Sequence, residues 1–286
     1  MTGRRGMLAR LRSAPQWTAA AAAFAVIAVA AVTTALVAPG SPAAAAHAGV
    51  PHLPGVPAGK DGGPSGRPTA SGGSAHAPAH PAAPPVPDTI VHAAEISGPA
   101  VNITIDDGPD PVWTPKVLAV LRKHHVHAVF CMIGPQAAAH PDLVRQVVAE
   151  GHRLCDHTVH HDTGMDHKPF AYQKSEIMDA LQMIETASGG ARVSYYRAPG
   201  GAFTPASRAL AAQHGMRPLG WNVDTKDFDR PGTQVIVNTV KSEIHNGPTI
   251  LFHDGGGQRA QTVAALDQAL TWIKGQGYAF SFPKVD

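Results

Sequence analysis

The chain has 286 residues, enough for one sizeable domain and some additional sequence. Lys and Arg total 23 against 21 Asp and Glu, a near balance that gives no reason to expect a nucleic-acid or polyanion partner. Two cysteines exclude a zinc ribbon or cysteine cage, while 17 histidines leave metal binding open and make chance His–His spacings common.

Residues 1–16 carry Arg4, Arg5, Arg10 and Arg12 and no acid, and an uncharged apolar run follows from Trp17 to Ala38. That run is long enough for one membrane-spanning helix and has no polar face, so residues 1–38 are expected to be a signal peptide or membrane anchor. The arginines would hold the N-terminus inside and send the remainder out, making the working part extracellular, secreted or tethered to the outer face of the membrane. Small-residue sites in "AAAAHA" also permit cleavage. Residues 39–88 are Ala, Pro, Gly, Ser and His with almost no large apolar side chain, and read as a disordered linker that cannot offset its ordering entropy by burial. Residues 89–286 are the expected catalytic domain.

From Ile90 the pattern alternates between strands and helices. "VNITI" (101–105) is rich in β-branched residues and reads as a buried strand, ended by Asp106-Asp107-Gly108-Pro109. "TPKVLAVLRKHH" follows as a helix with Thr114 as N-cap and Pro115 at its first position. "AVFCMIG" is a strand, "HPDLVRQVVAEG" a helix closing on Gly151, "HRLCDH" a short strand, and "KSEIMDALQMIETAS" a helix. "VSYYRAPGG" is strand plus glycine turn, and "TPASRALAAQHG" a helix capped by Thr204 and ended by Gly215. "RPLGWNVD" reads as one strand, and the chain ends in helix "TQVIVNTVKSEIHNG", strand "PTILFHDGGG", helix "TVAALDQALTWIKGQG" and strand "YAFSFP". Regular alternation predicts a parallel sheet with helical crossovers, and six or seven units predict a distorted (β/α) barrel smaller than the usual eight-unit one. The competing open doubly wound sheet lacks its glycine-rich fingerprint after the first strand. Cys131 and Cys155 fall on neighbouring predicted strands, and in an exported chain a disulfide between them is expected.

The polar residues fall where chemistry would be placed. Asp106 and Asp107, His157, Arg197, Asp224 and His253 each sit at the C-terminal end of a different predicted strand, and in a parallel barrel those ends share one face. Adjacent acids cannot both enter an apolar core, but at a strand end one can face a cation and the other a substrate. "HTVHH" supplies His157 and His161; if it coils into a turn, both imidazoles reach one side and, with a carboxylate, form a two-His, one-carboxylate set. Zinc suits such a set, with cobalt, iron and manganese also compatible. His160, on the same turn, points elsewhere. Arg197 would orient a carboxylate, Asp106 above all, and keep it ionised. Gly200 would let a backbone N–H approach an oxyanion closely, and either Asp224 or Asp227 would hold and tune His253.

Five short stretches in this order resemble the polysaccharide deacetylase family, the domain shared by rhizobial chitooligosaccharide deacetylases and carbohydrate esterase family four. They are "TIDDGP" (104–109), "HTVHH" (157–161), "RAPGG" (197–201), "DTKDF" (224–228) and "LFH" (251–253). The resemblance spans about residues 100–282. It implies that Asp107, His157 and His161 hold a divalent metal, that Asp106 is the general base, and that Arg197 braces it. It further implies that His253 protonates the departing amine with Asp227, or else Asp224, behind it, and that Gly200, Phe228 and Leu251 contact substrate. Phe228 stands where the family usually has tryptophan and Gly200 where tyrosine is common, so subsite preference is expected to differ. The implied substrate is an N-acetylglucosamine polymer, chitin-like or cell-wall glycan, with acetylxylan esterase activity as an alternative and a silent glycan-binding domain as a third reading. A monomer is expected, touching the membrane only through a retained N-terminal helix.

Overall fold

The computed structural model describes residues 84–286. The expected signal or anchor segment, and all of the expected linker before residue 84, lie outside the described residues. Among the described residues no helix is long and apolar enough to cross a membrane.

The alternation read from the sequence becomes β1 (Ala100–Asp106), α1 (Thr114–His124), β2 (Ala128–Met132), α2 (Gly134–Ala139), α3 (Pro141–Ala149), β3 (Arg153–Asp156), α4 (Phe170–Ser188), β4 (Val193–Tyr196), α5 (Pro205–Gln213), β5 (Arg217–Pro218), β6 (Val223–Asp224), α6 (Thr233–Glu243), β7 (Thr249–His253), α7 (Ala260–Gly275) and β8 (Ala279–Ser281). The sheet order is β5-β4-β3-β2-β1-β7-β6, with β8 pairing the start of β1, and every pairing between these strands is parallel. This is the expected distorted (β/α) barrel, with β1 buried along its whole length at the centre.

Period-two alternation sorts the strand residues into two layers. Val101, Ile103 and Ile105 of β1, Phe130 and Met132 of β2, and Ile250 and Phe252 of β7 join the large core between sheet and helices. The opposite parity faces inward, where Val129, Cys131, Cys155, Tyr195, Val91 and Leu219 form a much smaller cluster. Burial of large aliphatic and aromatic side chains contributes roughly 1.5–3 kcal/mol each, so the outer layer supplies most of the stability. The inner parity of β1 is therefore free to carry Asn102, Thr104 and Asp106, all buried. Cys131 and Cys155 are register partners on β2 and β3 and form a disulfide with Cα atoms 4.1 Å apart.

Two readings are corrected. "RPLGWNVD" is not one strand: β5 pairs with β4 on one sheet edge and β6 with β7 on the other, so the segment crosses the gap between the edges. Gly220 lies at that crossing, where a Cβ would fall 2.2 Å from His92 Nε2, so a side chain there would displace the His92 ring or the strap. Thr114 is not the N-cap of α1 but its first residue; Trp113 occupies the cap position without a side-chain bond. Asp110 takes over the turn by accepting from Val112 and Trp113 N–H, which frees the Thr114 hydroxyl to donate to Asp254 at 2.5 Å. Thr204 does cap α5, in a reciprocal pair with Ser207. The short α2 carries no amphipathic repeat in "GPQAAA" and was not visible to a periodicity argument.

Candidate active site

The C-terminal strand ends converge as the sequence reading expected, and they line a cavity of about 550 Å³. Asp106, Asp107, His157, His161, Arg197, Gly200, Asp224, Phe228, Leu251 and His253 all border it, while Asp227 is fully buried behind His253.

On one side, β1 ends in Asp106 and turns sharply. Asp107 has φ 75°, an uncommon left-handed conformation for a residue other than glycine. Gly108 must be glycine because a Cβ there would fall 2.2 Å from Asp254 Oδ1. Asp107 Oδ1 lies 3.5 Å from His157 Nε2 and 3.2 Å from His161 Nε2. The three side chains have donor atoms all within 4.8 Å of one another. A tetrahedral zinc site with ligand bonds near 2.0–2.2 Å has donor–donor edges of roughly 3.3–3.6 Å, close to the two edges that Asp107 makes. Asp107 Oδ1 is buried, and the protein nitrogens nearest it are those of the two imidazoles, so when both rings are neutral with Nε2 unprotonated the oxygen is left to a cation. His157 Nδ1 is 2.8 Å from the Arg197 carbonyl, which leaves Nε2 unprotonated and aimed at the shared point. Burial lowers the His157 pKa, favouring the neutral imidazole a metal needs. His161 goes the other way: the carboxylate of Asp107 beside it raises its pKa. The residues present thus suit a divalent ion with N and O ligands.

Asp106 points into the same cavity without being drawn into that trio as closely: its Oδ2 is 3.6 Å from His157 Nε2. Its Oδ1 accepts from Arg197 Nη1 at 2.7 Å. Arg197 is completely buried, and its remaining donors go to Thr104 Oγ1 (3.0 Å), the Leu219 carbonyl (3.2 Å) and the Gly220 carbonyl (3.0 Å). The last two belong to the strap between β5 and β6, so one guanidinium both braces Asp106 and fastens the barrel's gap. Burial depresses the Arg197 pKa, but the Asp106 charge opposes that fall.

The opposite side holds His253 at the end of β7. Its Nδ1 is 2.7 Å from Asp227 Oδ1, and its N–H donates to Asp227 Oδ2 at 3.0 Å. Thr262 donates to Oδ2 at 2.8 Å, so each carboxylate oxygen has a protein donor, while the Thr225 hydroxyl beside Oδ1 gives its proton to the Leu251 carbonyl at 2.7 Å. Burial works against charge on His253, yet the hydrogen bond and charge of Asp227, with the more distant Asp106 and Asp107, hold its pKa above the usual imidazole value. Asp227 is correspondingly lowered, with burial opposing and His253 prevailing. Of the two acids that the sequence left open, Asp227 is the one on His253; Asp224 instead binds Lys226 through the backbone N–H and through Nζ at 2.7 Å. Phe228, 39% exposed, packs edge-on against the His253 ring with centroids 5.2 Å apart. Gly200 has φ 59° beside Thr163, where a Cβ would be 3.2 Å from the Thr163 side chain.

Sequence reading missed several contributors. Asp254 is fully buried between Thr114 and the two acids, and burial pushes its pKa up to about 7. Arg259 lines the cavity while donating to the Gly255 carbonyl at 2.7 Å. Trp221 forms part of the wall, 5.5 Å from the Arg197 guanidinium to the ring centroid. The one available signal was the run His253-Asp254-Gly255-Gly256-Gly257, whose glycines allow the close approach of this loop to Asp107.

Fold and site together place the chain in the class of parallel α/β barrels with one polar centre at the strand C-termini. A family model described as polysaccharide deacetylase matches residues 94–219. The peptidoglycan-N-acetylglucosamine deacetylase of Bacillus cereus is 38% identical over 185 residues, covering 63% of this chain and 84% of that protein. A chitooligosaccharide deacetylase of Sinorhizobium fredii is 35% identical, covering 63% of this chain and 88% of its own length. Among solved structures, a family 4 carbohydrate esterase from Streptomyces lividans in complex with acetate aligns with a TM-score of 0.58 at 31% identity, covering 68% of this chain and 95% of that one. The chain belongs to the polysaccharide deacetylase family.

Proposed function

We propose that the protein is a metal-dependent deacetylase that removes N-acetyl groups from N-acetylglucosamine-containing polysaccharide, chitin-like or peptidoglycan, outside the cell. The observation that carries this reading is the arrangement of Asp107, His157 and His161 around one point, with Asp106 on one flank and His253 on the other. Asp107, His157 and His161 would hold the ion, zinc by preference and cobalt as a competent substitute. A divalent ion bound there supplies Lewis acidity, lowering the pKa of water and polarising the acetyl carbonyl.

The protein's own groups complete the reaction. Asp106 accepts a proton from the attacking water, its carboxylate oriented by Arg197. The oxygen that becomes negative during attack receives a hydrogen bond from the Gly200 N–H, which no side chain screens. His253 then delivers its proton to the sugar nitrogen as the C–N bond breaks, giving acetate and a free amine. An amide nitrogen leaves only when protonated, and the Asp227 pairing keeps His253 charged for that step. An O-acetyl ester has a better leaving group and needs this acid less, and because both reactions would use the same residues, a substrate panel separates them. Phe228 and Leu251 offer the apolar wall for the acetyl methyl and sugar face, and the expected location outside the cell suits a polymeric substrate.

The test strips the full chain with chelator, restores zinc or cobalt, and measures acetate release from chitin oligomers, peptidoglycan and acetylated xylan. Metal-restored release from an N-acetylglucosamine polymer is expected. Release from xylan alone would replace the proposal with an esterase, and no release despite tight metal binding would favour a silent glycan-binding domain.

A further inference from the structure

The turn that carries His157 and His161 is held from behind by two buried acids. Its three central backbone N–H groups are consecutive, and each ends on a carboxylate. Thr158 N–H donates to Asp156 Oδ1 at 2.8 Å; Val159 and His160 N–H both donate to Glu176 Oε2, at 3.1 and 2.8 Å. Glu176 Oε1 also lies 2.6 Å from His160 Nδ1. Glu176 is 2% exposed and projects from the buried face of α4, beside Gln173, Ile177 and Ala180. A carboxylate on the apolar face of a helix is costly unless several donors meet it, and here the donors are the backbone of this turn.

The turn needs such a hold. Thr158 and His161 both have left-handed backbones, at φ 69° and 53°, and residues other than glycine keep such conformations only where their surroundings enforce them. Resting on the metal-binding reading above, we propose that Glu176 is a positioning residue for the metal centre: it fixes the 157–161 turn so that both imidazoles present Nε2 to the Asp107 carboxylate. His160, which looked like a bystander within "HTVHH", serves as the outer clasp on the same acid.

The full-length protein and four variants, Glu176→Ala, Glu176→Gln, Glu176→Asp and His160→Ala, decide the matter. Zinc affinity is measured by competition with a chromophoric chelator, the cobalt absorption spectrum is recorded, and amide exchange of residues 157–161 is followed in metal-free protein. Glu176→Ala is expected to weaken zinc binding about 10- to 100-fold, alter the cobalt spectrum and speed exchange of the turn. Glu176→Gln keeps an oxygen for the two backbone N–H groups and should retain zinc within about tenfold of wild type. His160→Ala leaves those backbone bonds intact and should do the same. Unchanged affinity and exchange in Glu176→Ala would overturn the proposal, as would a loss in His160→Ala equal to that in Glu176→Ala. Should Glu176→Ala fail to fold, Glu176→Asp carries the same test, because withdrawing the carboxylate by one methylene should weaken zinc and speed exchange, and no change would overturn the proposal. A wild-type chain without zinc affinity would sink the proposed function instead, and the exchange comparison alone would then decide for or against Glu176.

Discussion

The two flanks of the site satisfy their polar atoms in opposite ways. Around His253, both oxygens of Asp227 are met by protein donors, the imidazole on one and a backbone N–H and the Thr262 hydroxyl on the other, on a short 3-10 turn flanked by the left-handed residues Lys226 and Arg230. Around Asp107, the buried Oδ1 has only the two imidazole nitrogens beside it, and the backbone is left-handed at the acid itself and at Thr158 and His161. One flank has its carboxylate met by protein donors; in the proposed function the other is left to a cation. That proposal gives the first flank a proton donor with a fixed partner and the second a ligand set with unspent lone pairs.

The sharpest way to break this contrast is to alter the neighbouring acids separately. Asp106→Asn should lower kcat/KM by about 10²- to 10⁴-fold while zinc content, measured by elemental analysis, stays at the wild-type level. Asp107→Ala should lose the zinc itself. An inactive Asp106→Asn that is also metal-free would contradict the division of roles. Next in size, Arg197→Met leaves Asp106 buried beside no cation and should cost roughly 3–5 kcal/mol in chemical denaturation.

A change behind the Asp107 flank sets the scale of support from the strands. Replacing both Cys131 and Cys155 with alanine opens a cross-link between residues 24 apart and should cost about 3 kcal/mol of stability. Its kcat/KM should fall less than that of Asp106→Asn, since the side chains lie in the small inner cluster while the Cys131 backbone still pairs with Asp106 and accepts from the Asp107 N–H. The finest test is Asp227→Asn, read as a pH profile. In the proposed reaction His253 acts while protonated, and its raised pKa means activity should be lost as pH rises through that raised value. Removing the Asp227 charge should move this alkaline limb to lower pH and leave zinc affinity unchanged; an unmoved limb would detach Asp227 from the acid.

Most of the site was legible because it is written at strand ends. A strand such as Val101–Ile105 announces itself through β-branched residues, and the first polar residue past it belongs to the rim of a parallel barrel. The strap escaped this logic: "RPLGWNVD" has the composition of one strand, and only the sheet order reveals that its halves pair with opposite edges. Thr114 misled for a related reason, since Thr-Pro is a helix-start signature wherever it occurs, and the competing turn at Asp110 depends on where Asp254 lies. The choice between Asp224 and Asp227 turned on three residues of path through a tight turn, which spacing does not resolve. Glu176 was hidden differently: it sits inside an ordinary helical repeat, and its donors come from a turn 16 residues earlier.

Arg197 joins two properties that are usually separable. The same guanidinium that meets Asp106 also grips the carbonyls of Leu219 and Gly220 where the strap spans the open edge. Thermodynamic reciprocity then couples them: whatever strengthens the hold on Asp106 tightens the strap, and whatever slackens the strap is felt by the base. The crossing segment, with Trp221 in the cavity wall, is thus tied through one buried side chain to the Asp106 carboxylate.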